Sequence, residues 1–452
     1  MGPWWVDRLA RALAPLRPGG RTSAGGSGLL PAQVGLEELI GIDATDVEAI
    51  LDRWQRFRSG VRGIIGRGEN GPLALDLATD GPHVLVGGTT GSGKSEFLQT
   101  LVVSLALEAA PSALTFVLVD YKGGAGFAPY AVLPHVLGVV TDLDAAGAAR
   151  ALASLTAELK HRERQLAEVG AKDFGEYQRL VGSSPVPLPR LIIVIDEFRL
   201  LVDELPQFVT GLVHLAAIGR SLGVHLVLAT QRPAGAVSAS IQSNLNLRVA
   251  FRMRDAADSH DVIGDSAAAA LSPSTPGRAI LEGAQSRAMV QTALLLPPTD
   301  RSTLVVRRAH GDCRVAGESG DADPRTHRDA VLAALVAAGR SLGGPAPRPA
   351  WLPPLPATIA IADVPPGVVA VADDPTHQRR HELRWTLGGS WVLAGPPGSG
   401  RTEGLRRIVE AAADRAEPYR LHVHVIDATG ALAALGSSPH VGTLVAPGDH
   451  RT

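Results

Sequence analysis

Cysteine, lysine and aromatic residues are all scarce in this chain of 452 residues, and no long apolar run is present. The one cysteine, Cys313, excludes a disulfide within the chain and is typical of a reducing compartment. No apolar run reaches the roughly 18 residues that cross a bilayer, and the N-terminus lacks the apolar stretch of a secretory signal. We therefore predict a cytoplasmic protein, and leave open its attachment to the inner face of the cell membrane through partners.

Charge is balanced, and arginine supplies most of the positive charge. The net charge of −2 argues against a generally basic nucleic-acid coat, although a basic pore lining remains compatible with it. The length allows two or three domains. The only lysines are Lys94, Lys122, Lys160 and Lys172. Because lysine is so rare in this chain, a lysine at the fixed position of a motif indicates a functional role.

A glycine-rich stretch at residues 88–95 fits the phosphate-loop pattern G-x-x-x-x-G-K-[ST] at every fixed position. An apolar strand is predicted before it and a helix from Ser95 to about Ala109 after it, which is the context that the motif requires. The glycines let backbone N–H groups turn toward a polyphosphate, and the helix N-terminus adds partial positive charge. We predict that Lys94 reaches the β- and γ-phosphates of a bound nucleotide and that Ser95 ligates Mg²⁺. The predicted cradle consists of Gly88, Thr89, Thr90, Gly91, Ser92, Gly93, Lys94 and Ser95.

An acidic pair, Asp196 and Glu197, follows a continuous apolar strand predicted at 191–195. In NTPases an acid at a strand end holds Mg²⁺, directly or through water, and the next acid can orient and deprotonate the attacking water. Such a pair also caps helices, but the phosphate loop upstream favours catalysis. Gln231 closes another predicted strand, where a glutamine can sense the γ-phosphate or position the water.

Asp120 and Arg220 are two further candidates, each with two interpretations. Asp120 ends a strand predicted at 114–120, and the C-termini of parallel strands line the ligand crevice. Nucleotide binding and turn formation are both open for Asp120 and for Lys122. Arg220 lies on the helix before the Gln231 strand, where it is either a solvated charge or an arginine finger acting in trans on a neighbouring subunit's site.

Apolar strands alternate with helices through most of the chain. Short, continuously apolar strands separated by helices indicate an α/β fold with a mostly parallel sheet covered on both faces. A Gly68-to-Gly71 turn between apolar stretches predicts a β-hairpin ahead of this core. The predicted helices are 46–57, 95–109, 145–169 and 206–222, and the later strands are 225–230 and 248–253.

Residues 388–441 repeat the motifs of the first core at a constant offset. Arg401 corresponds to Lys94 and Asp427 corresponds to Asp120, and both pairs are 307 positions apart. One offset that holds across separate motifs predicts a duplicated domain. A planar guanidinium does not replace a lysine in a tight phosphate cradle, and no counterpart of the acidic pair follows. We therefore expect this partial copy neither to hydrolyse nucleotide nor to complete its sheet by itself.

Together these motifs resemble the FtsK/SpoIIIE family of hexameric ATP-driven motors. Within it, the chain looks most like the EccC/EssC-type ATPases of type VII secretion, because of the signature at 120–124, the tandem units and the lead-in at 374–378. The stretches that carry the resemblance span roughly 64–285: GPHVLVGGTTGSGKSEFL, FVLVDYKGGAGF, LPHVLGVVTD, LIIVIDEF, GRSLGVHLVLATQRP and RVAFRMRDAADSHDVIG.

The resemblance implies a RecA-like P-loop fold that uses ATP and Mg²⁺. It implies Asp196 and Glu197 as the magnesium and water acids, Gln231 as a sensor and Arg220 as the trans arginine. It also implies a homo-oligomeric, hexameric ring with membrane-complex partners, which moves secreted helical-hairpin proteins or double-stranded DNA. A type VII secretion ATPase is the main hypothesis. A DNA translocase is the alternative, and an ATP-gated scaffold with little turnover is the second alternative.

The predicted organisation has five parts. Residues 1–28 are predicted as a short helix, lying on the protein or in a membrane interface, followed by a flexible linker. Residues 29–63 form an adaptor, and 64–311 form the FtsK/SpoIIIE-type ATPase domain. Residues 312–358 are a proline-rich linker, and 359–452 are a truncated, degenerate second ATPase domain.

Overall fold

The protein is described by a computed structural model that divides into two compact units, Met1–Trp351 and Leu352–Thr452. The predicted N-terminal helix and residues 121–124 of the signature lie outside the described residues. Among the described residues, no helix has the length and apolar character needed to cross a bilayer. The residues described are 30–57, 59–120, 126–141, 145–182, 188–204, 206–233, 244–283, 287–296, 323–344, 346–350, 352, 355–385 and 389–448.

A ten-stranded sheet runs through the described part of the first unit. Its strands are β1 (Arg62–Gly68), β2 (Gly71–Asp76), β3 (His83–Gly87), β4 (Leu114–Asp120), β5 (Val136–Thr141), β6 (Arg190–Asp196), β7 (Val224–Thr230), β8 (Leu247–Phe251), β9 (Arg278–Glu282) and β10 (Arg287–Thr292). The six strands in the order β8-β3-β7-β6-β4-β5 are parallel. The four strands β2-β1-β10-β9 extend this sheet in antiparallel fashion. The prediction of a mostly parallel sheet is therefore confirmed.

Helices cover both faces of the sheet. The helices are α1 (Leu36–Ile40), α2 (Val47–Arg56), α3 (Lys94–Glu108), α4 (Ala145–Glu168), α5 (Phe174–Val181), α6 (Phe198–Glu204), α7 (Pro206–Ile218), α8 (Ala256–Ile263) and α9 (Pro324–Leu342). In β3, Val84 and Val86 belong to an apolar cluster with α2, α3 and α9, whereas Leu85 belongs to a second cluster with α4 to α8. This alternation is what a central strand with two buried faces requires.

The predicted hairpin and the helix near residues 46–57 both form. β1 and β2 pair across Gly71, whose φ of +122° suits glycine. Asp46 caps α2 by accepting a hydrogen bond from the Glu48 N–H at 3.0 Å. Ile50 and Trp54 of α2 are buried in the same apolar cluster as α3. The segment predicted as an adaptor is therefore packed into the core of the first unit.

The prediction of a proline-rich linker over 312–358 was wrong for residues 324–342, which form α9. Its start is set by Asp323, whose carboxylate accepts from the Arg325 N–H at 3.1 Å, and by Pro324 in the first turn. Val331 and Leu335 are fully buried in the apolar core of the first unit. The prolines that surround this helix dominated the composition and hid the apolar spacing within it.

The second unit contains two strand pairs and one long helix among its described residues. β11 (Val368–Asp374) pairs antiparallel with β12 (Arg379–Arg384), and β13 (Val423–Ile426) pairs parallel with β14 (Val441–Val445). The helix is α10 (Arg401–Ala413).

Contacts of the first unit recur in the second, as expected for a duplicated domain. His440 Nε2 lies 2.7 Å from the Ala416 carbonyl oxygen, and His135 Nε2 lies 2.8 Å from that of Ala109. Residues 391–393, which correspond to part of β3, form no strand, because no described residue of this unit pairs with them as β7 and β8 pair with β3.

Candidate nucleotide site

The phosphate loop connects β3 to α3 and is anchored on the two neighbouring strands. The Gly88 N–H donates to the Thr230 carbonyl at the end of β7 (3.2 Å), and the Thr89 N–H donates to the Arg252 carbonyl after β8 (3.0 Å). The Thr89 hydroxyl donates to the same Arg252 carbonyl at 3.0 Å. The loop therefore starts from a fixed position at the carboxyl edge of the parallel strands, where ligands bind in open α/β sheets.

Glycine is required within this loop for two physical reasons. Gly91 and Gly93 have φ values of +73° and +101°, in the left-handed region. A Cβ on Gly88 would lie 2.6 Å from Ser92 Oγ, whereas a Cβ on Gly91 would meet no atom within 4 Å. The loop is thus closely packed on the protein side and open at Gly91. Ser92 Oγ is buried and has no hydrogen-bond partner among the described residues, so the loop fits a polyphosphate that offers acceptor oxygens.

Lys94, Ser95 and Asp196 meet at this edge of the sheet, although Asp196 comes from β6. The Lys94 side chain is only 4% exposed, and its ammonium group forms an ion pair with Asp196 Oδ1. The Ser95 hydroxyl donates to Asp196 Oδ2 at 3.3 Å. A hydroxyl and a carboxylate are ligands that suit Mg²⁺. These residues could hold the metal once the lysine turns to a phosphate.

Glu197, Gln231 and Thr90 form a chain of contacts beside that pair. Glu197 is buried and has a φ of +62°, a left-handed conformation that strains a non-glycine residue. Its Oε1 accepts a hydrogen bond from the Gln231 backbone N–H at 3.4 Å. The Thr90 hydroxyl donates to the Gln231 side-chain oxygen at 3.1 Å. The acid, the end of β7 and the phosphate loop are thereby joined.

Asp120 lies beside the site and closes a loop. Its Cα is opposite that of Asp196 in the register of β4 and β6, and its Oδ2 accepts from the Gly126 N–H at 3.0 Å. In the second unit, the corresponding Asp427 accepts from the Leu432 N–H at 2.6 Å. Of the two interpretations of Asp120, these contacts favour turn formation.

Arg220 lies at the amino ends of the parallel strands, whereas the phosphate loop lies at their carboxyl ends. The predicted helix over 206–222 ends at Ile218, and a 3₁₀ turn, Gly219–Leu222, carries the exposed Arg220 side chain. This turn precedes β7, whose other end is Thr230, beside Gly87. The length of β7 separates Arg220 from its own chain's phosphate loop by about 20 Å. Arg220 could therefore reach a nucleotide only in another subunit.

Two contacts that support the phosphate loop were not predicted from the sequence. Thr90 stands at a variable position of the motif, and its contact with Gln231 arises because β3 and β7 are neighbours. Gly277, from the turn before β9, donates its N–H to the Ser92 carbonyl at 2.8 Å. A Pro-Gly pair at 276–277 signals a turn, but nothing in the pattern indicates that the turn contacts residue 92.

Residues 47–272, half of the chain, match the FtsK/SpoIIIE family. The ESX secretion system protein EccC of Geobacillus thermodenitrificans is 32% identical over 450 residues, 92% of this chain and 30% of that protein. The type VII secretion system protein EssC of Staphylococcus aureus is 31% identical over 455 residues, 91% of this chain and 31% of that protein. The chain thus spans about a third of the length of these curated relatives.

Solved structures agree with this assignment. The cytoplasmic domain of the type VII secretion ATPase EccC from Thermomonospora curvata has a TM-score of 0.79 at 30% identity, over 92% of this chain and 50% of that one. ATPases 2 and 3 of EssC from Geobacillus thermodenitrificans have a TM-score of 0.67 at 19% identity, over 92% of this chain and 73% of that one, a similarity of fold alone. Because the family match covers half of the chain, including the phosphate loop and the acidic pair, this chain belongs to the FtsK/SpoIIIE family.

Proposed function

We propose that this chain hydrolyses ATP at residues 88–95 and uses the reaction to move a protein substrate in type VII secretion. The contact between Lys94 and Asp196 carries the proposal, because it joins the phosphate loop to the acid at the end of β6. The type VII assignment is supported by the EccC and EssC relatives, whose similarity extends over more than nine-tenths of the chain.

Each polar residue of the site has a role in this proposal. Lys94 exchanges Asp196 for the β- and γ-phosphates when ATP binds, and Ser95 and Asp196 would hold Mg²⁺. The metal would supply positive charge that neutralises the phosphates. Glu197 accepts the proton of the attacking water, and Gln231 orients that water or senses the γ-phosphate.

Arg220 completes the site of a neighbouring subunit in a homo-oligomeric ring, which we propose to be hexameric. Its exposed position at the amino ends of the parallel strands supports a role in trans, because a residue about 20 Å from its own phosphate loop cannot stabilise charge there. Where an arginine finger acts in such NTPases, it contributes about 10³ or more in rate.

We propose secreted helical-hairpin proteins as the transported partners and membrane-complex proteins as the anchors, with this chain at the cytoplasmic face of the membrane. ATPases 2 and 3 of Thermomonospora curvata EccC have been solved in complex with a signal sequence peptide. At 24% identity that likeness is one of fold, so it supports the choice of experiment and not a particular binding site.

The decisive experiment compares the ATPase rate of the assembled protein with linear duplex DNA and with a candidate secreted protein. Lys94→Ala serves as the background for contaminating activity. We expect stimulation by the secreted protein and none by DNA. Stimulation by DNA alone, with binding that weakens steeply as salt rises, would replace the proposal by a DNA translocase. Nucleotide binding without turnover under either condition would replace it by an ATP-gated scaffold.

A further inference from the structure

The last part of the phosphate loop is held by a turn from the antiparallel extension of the sheet. Gly277, in the turn before β9, donates its N–H to the Ser92 carbonyl at 2.8 Å. A Cβ on Gly93 would lie 2.7 Å from the Gly277 nitrogen and 2.8 Å from its Cα. The two glycines therefore pack backbone against backbone, at a distance that no larger residue permits.

Gln291 of β10 holds this turn in place. Its side chain is 1% exposed, its Nε2 donates to the Pro276 carbonyl at 2.9 Å, and its Oε1 accepts from Arg278 Nε at 3.0 Å. The backbone N–H and the hydroxyl of Thr292 both donate to the Gly277 carbonyl at 2.9 Å. The Gly277 carbonyl is thereby held by β10, and the Gly277 N–H is held by the phosphate loop.

We propose that Gly277 and Gln291 are positioning residues for the phosphate loop and set its affinity for nucleotide through Ser92 and Gly93. The neighbouring strands hold the start of the loop at Gly88 and Thr89, and α3 begins at Lys94. Glycines lose more conformational freedom on ordering than other residues, so without Gly277 the residues between these two anchors would have to be ordered by the nucleotide itself. A loop that is already held at Ser92 binds nucleotide without that loss.

The same contacts continue to the N-terminal segment. Arg278, which donates to Gln291, also donates through Nη2 to the carbonyls of Leu30 at 3.3 Å and Pro31 at 2.9 Å. Leu30 and Pro31 thus hold the guanidinium that orients the Gln291 amide. Gly277 contacts the phosphate loop directly, Gln291 contacts the turn that carries Gly277, and Arg278 contacts Gln291.

This inference rests on the proposed binding of nucleotide by residues 88–95, and a matched pair of glycine variants tests it. Gly277 and Gly264 have φ values of +81° and +78°, so alanine strains the backbone equally at both. A Cβ at Gly277 would lie 2.8 Å from Gln291 Nε2, whereas a Cβ at Gly264 would meet nothing within 4 Å. Gly277→Ala should raise the Kd for a fluorescent ATP analogue by about tenfold or more. Gly264→Ala should incur the same backbone strain and keep the wild-type Kd.

Gln291→Met and Arg278→Gln extend the test to variants without backbone strain. We expect the loss of affinity to decrease from Gly277→Ala through Gln291→Met to Arg278→Gln, at a temperature where circular dichroism shows every variant folded. At saturating ATP, kcat should stay near the wild-type value, because the hydrogen bonds of these three residues lead to the phosphate loop and to the N-terminal segment.

The outcomes separate this inference from the proposed function. If Lys94→Ala still binds ATP, the phosphate loop itself has been assigned wrongly. If Lys94→Ala loses binding while folded Gly277→Ala and Gln291→Met bind as tightly as wild type, only the positioning role is overturned. Equal losses in Gly277→Ala and Gly264→Ala would also overturn it, because backbone strain would then explain both.

Discussion

The ammonium group of Lys94 pairs with the carboxylate of Asp196 inside the first unit, across 102 positions of sequence. Asp196 uses its second oxygen to accept the Ser95 hydroxyl at 3.3 Å. The carboxylate of Asp196 therefore contacts both the ammonium group of Lys94 and the hydroxyl of Ser95, the two groups that a magnesium nucleotide would require. We expect nucleotide binding to rearrange these three residues before any other part of the site.

Replacement of Lys94 by alanine should remove nucleotide binding. The side chain is 4% exposed and carries the positive charge closest to the acidic residue of the site, so the phosphates would lose their main electrostatic partner. We expect the Kd for ATP, measured by calorimetry on folded protein, to rise about a hundredfold or more, roughly 3 kcal/mol. Lys160→Ala, at an exposed lysine of α4, is the control and should bind normally. Micromolar affinity in Lys94→Ala would refute the assigned cradle.

Glu197→Gln should retain ATP binding and lose hydrolysis. The amide preserves the shape of the side chain but cannot accept a proton from water, and loss of a general base typically costs about 10² to 10⁴ in rate. Turnover is measured in single-turnover assays alongside the Kd. A turnover equal to that of the wild-type protein would remove Glu197 from the mechanism.

Glu197→Gly should abolish hydrolysis and yet stabilise the protein. Glu197 adopts a φ of +62°, which glycine accepts without the penalty of about 1 kcal/mol that other residues incur. Chemical denaturation of the wild-type, Gln and Gly variants measures the difference. Glu197→Gly should have the highest midpoint of the three. A midpoint below that of Glu197→Gln would show that contacts of the buried side chain outweigh backbone strain.

Arg220→Ala should reduce hydrolysis only in assembled rings, and only at the neighbouring site. Mixing tests this directly: Lys94→Ala subunits keep Arg220, and Arg220→Ala subunits keep an intact phosphate loop. Activity should appear in mixed rings beyond that of either variant alone, because each Lys94→Ala subunit supplies an arginine to its neighbour. An equal loss of activity in isolated monomers would exclude a trans role.

Acidification below pH 6.5 should destabilise the first unit through three buried histidines. Desolvation lowers the pKa of His83 and of His135 to about 4 and that of His225 to about 3, from an ordinary value of 6.5. Below pH 6.5 the unfolded chain therefore binds protons that the folded protein does not, and stability falls as pH falls. The slope should reach about 1.4 kcal/mol per pH unit for each histidine and should decrease toward zero above pH 7.

Urea unfolding at pH 7 and pH 5 measures this slope, and replacement of the exposed His214 by glutamine is the control. The control should leave the slope unchanged. A free energy of unfolding that is equal at the two pH values would contradict the buried, neutral state of these side chains. The contacts support that state, because His83 Nδ1 accepts the Leu226 N–H at 3.0 Å while Nε2 lies 2.9 Å from the Ala216 carbonyl.

Local patterns alone predicted the phosphate loop, the acidic pair and the alternation of strands and helices. Each is a short-range property: glycine spacing, an apolar run that ends in acid, or a change of periodicity. The same reasoning assigned residues 324–342 to a linker, because neighbouring prolines outweighed a helical pattern whose apolar face is buried only in the folded core of the first unit.

Tertiary structure decided which of these motifs touch. Strand order placed β7 beside β3 and β6 on the other side of β7, and so brought Gln231 to Thr90 and Asp196 to Lys94. It also placed Arg220 at the amino ends of the parallel strands, away from the phosphate loop. The antiparallel strands outside the parallel core brought Gly277 into contact with Ser92. The spacing of motifs along the chain does not determine the order of strands in the sheet, because contacts between distant segments depend on how the whole sheet buries its two faces.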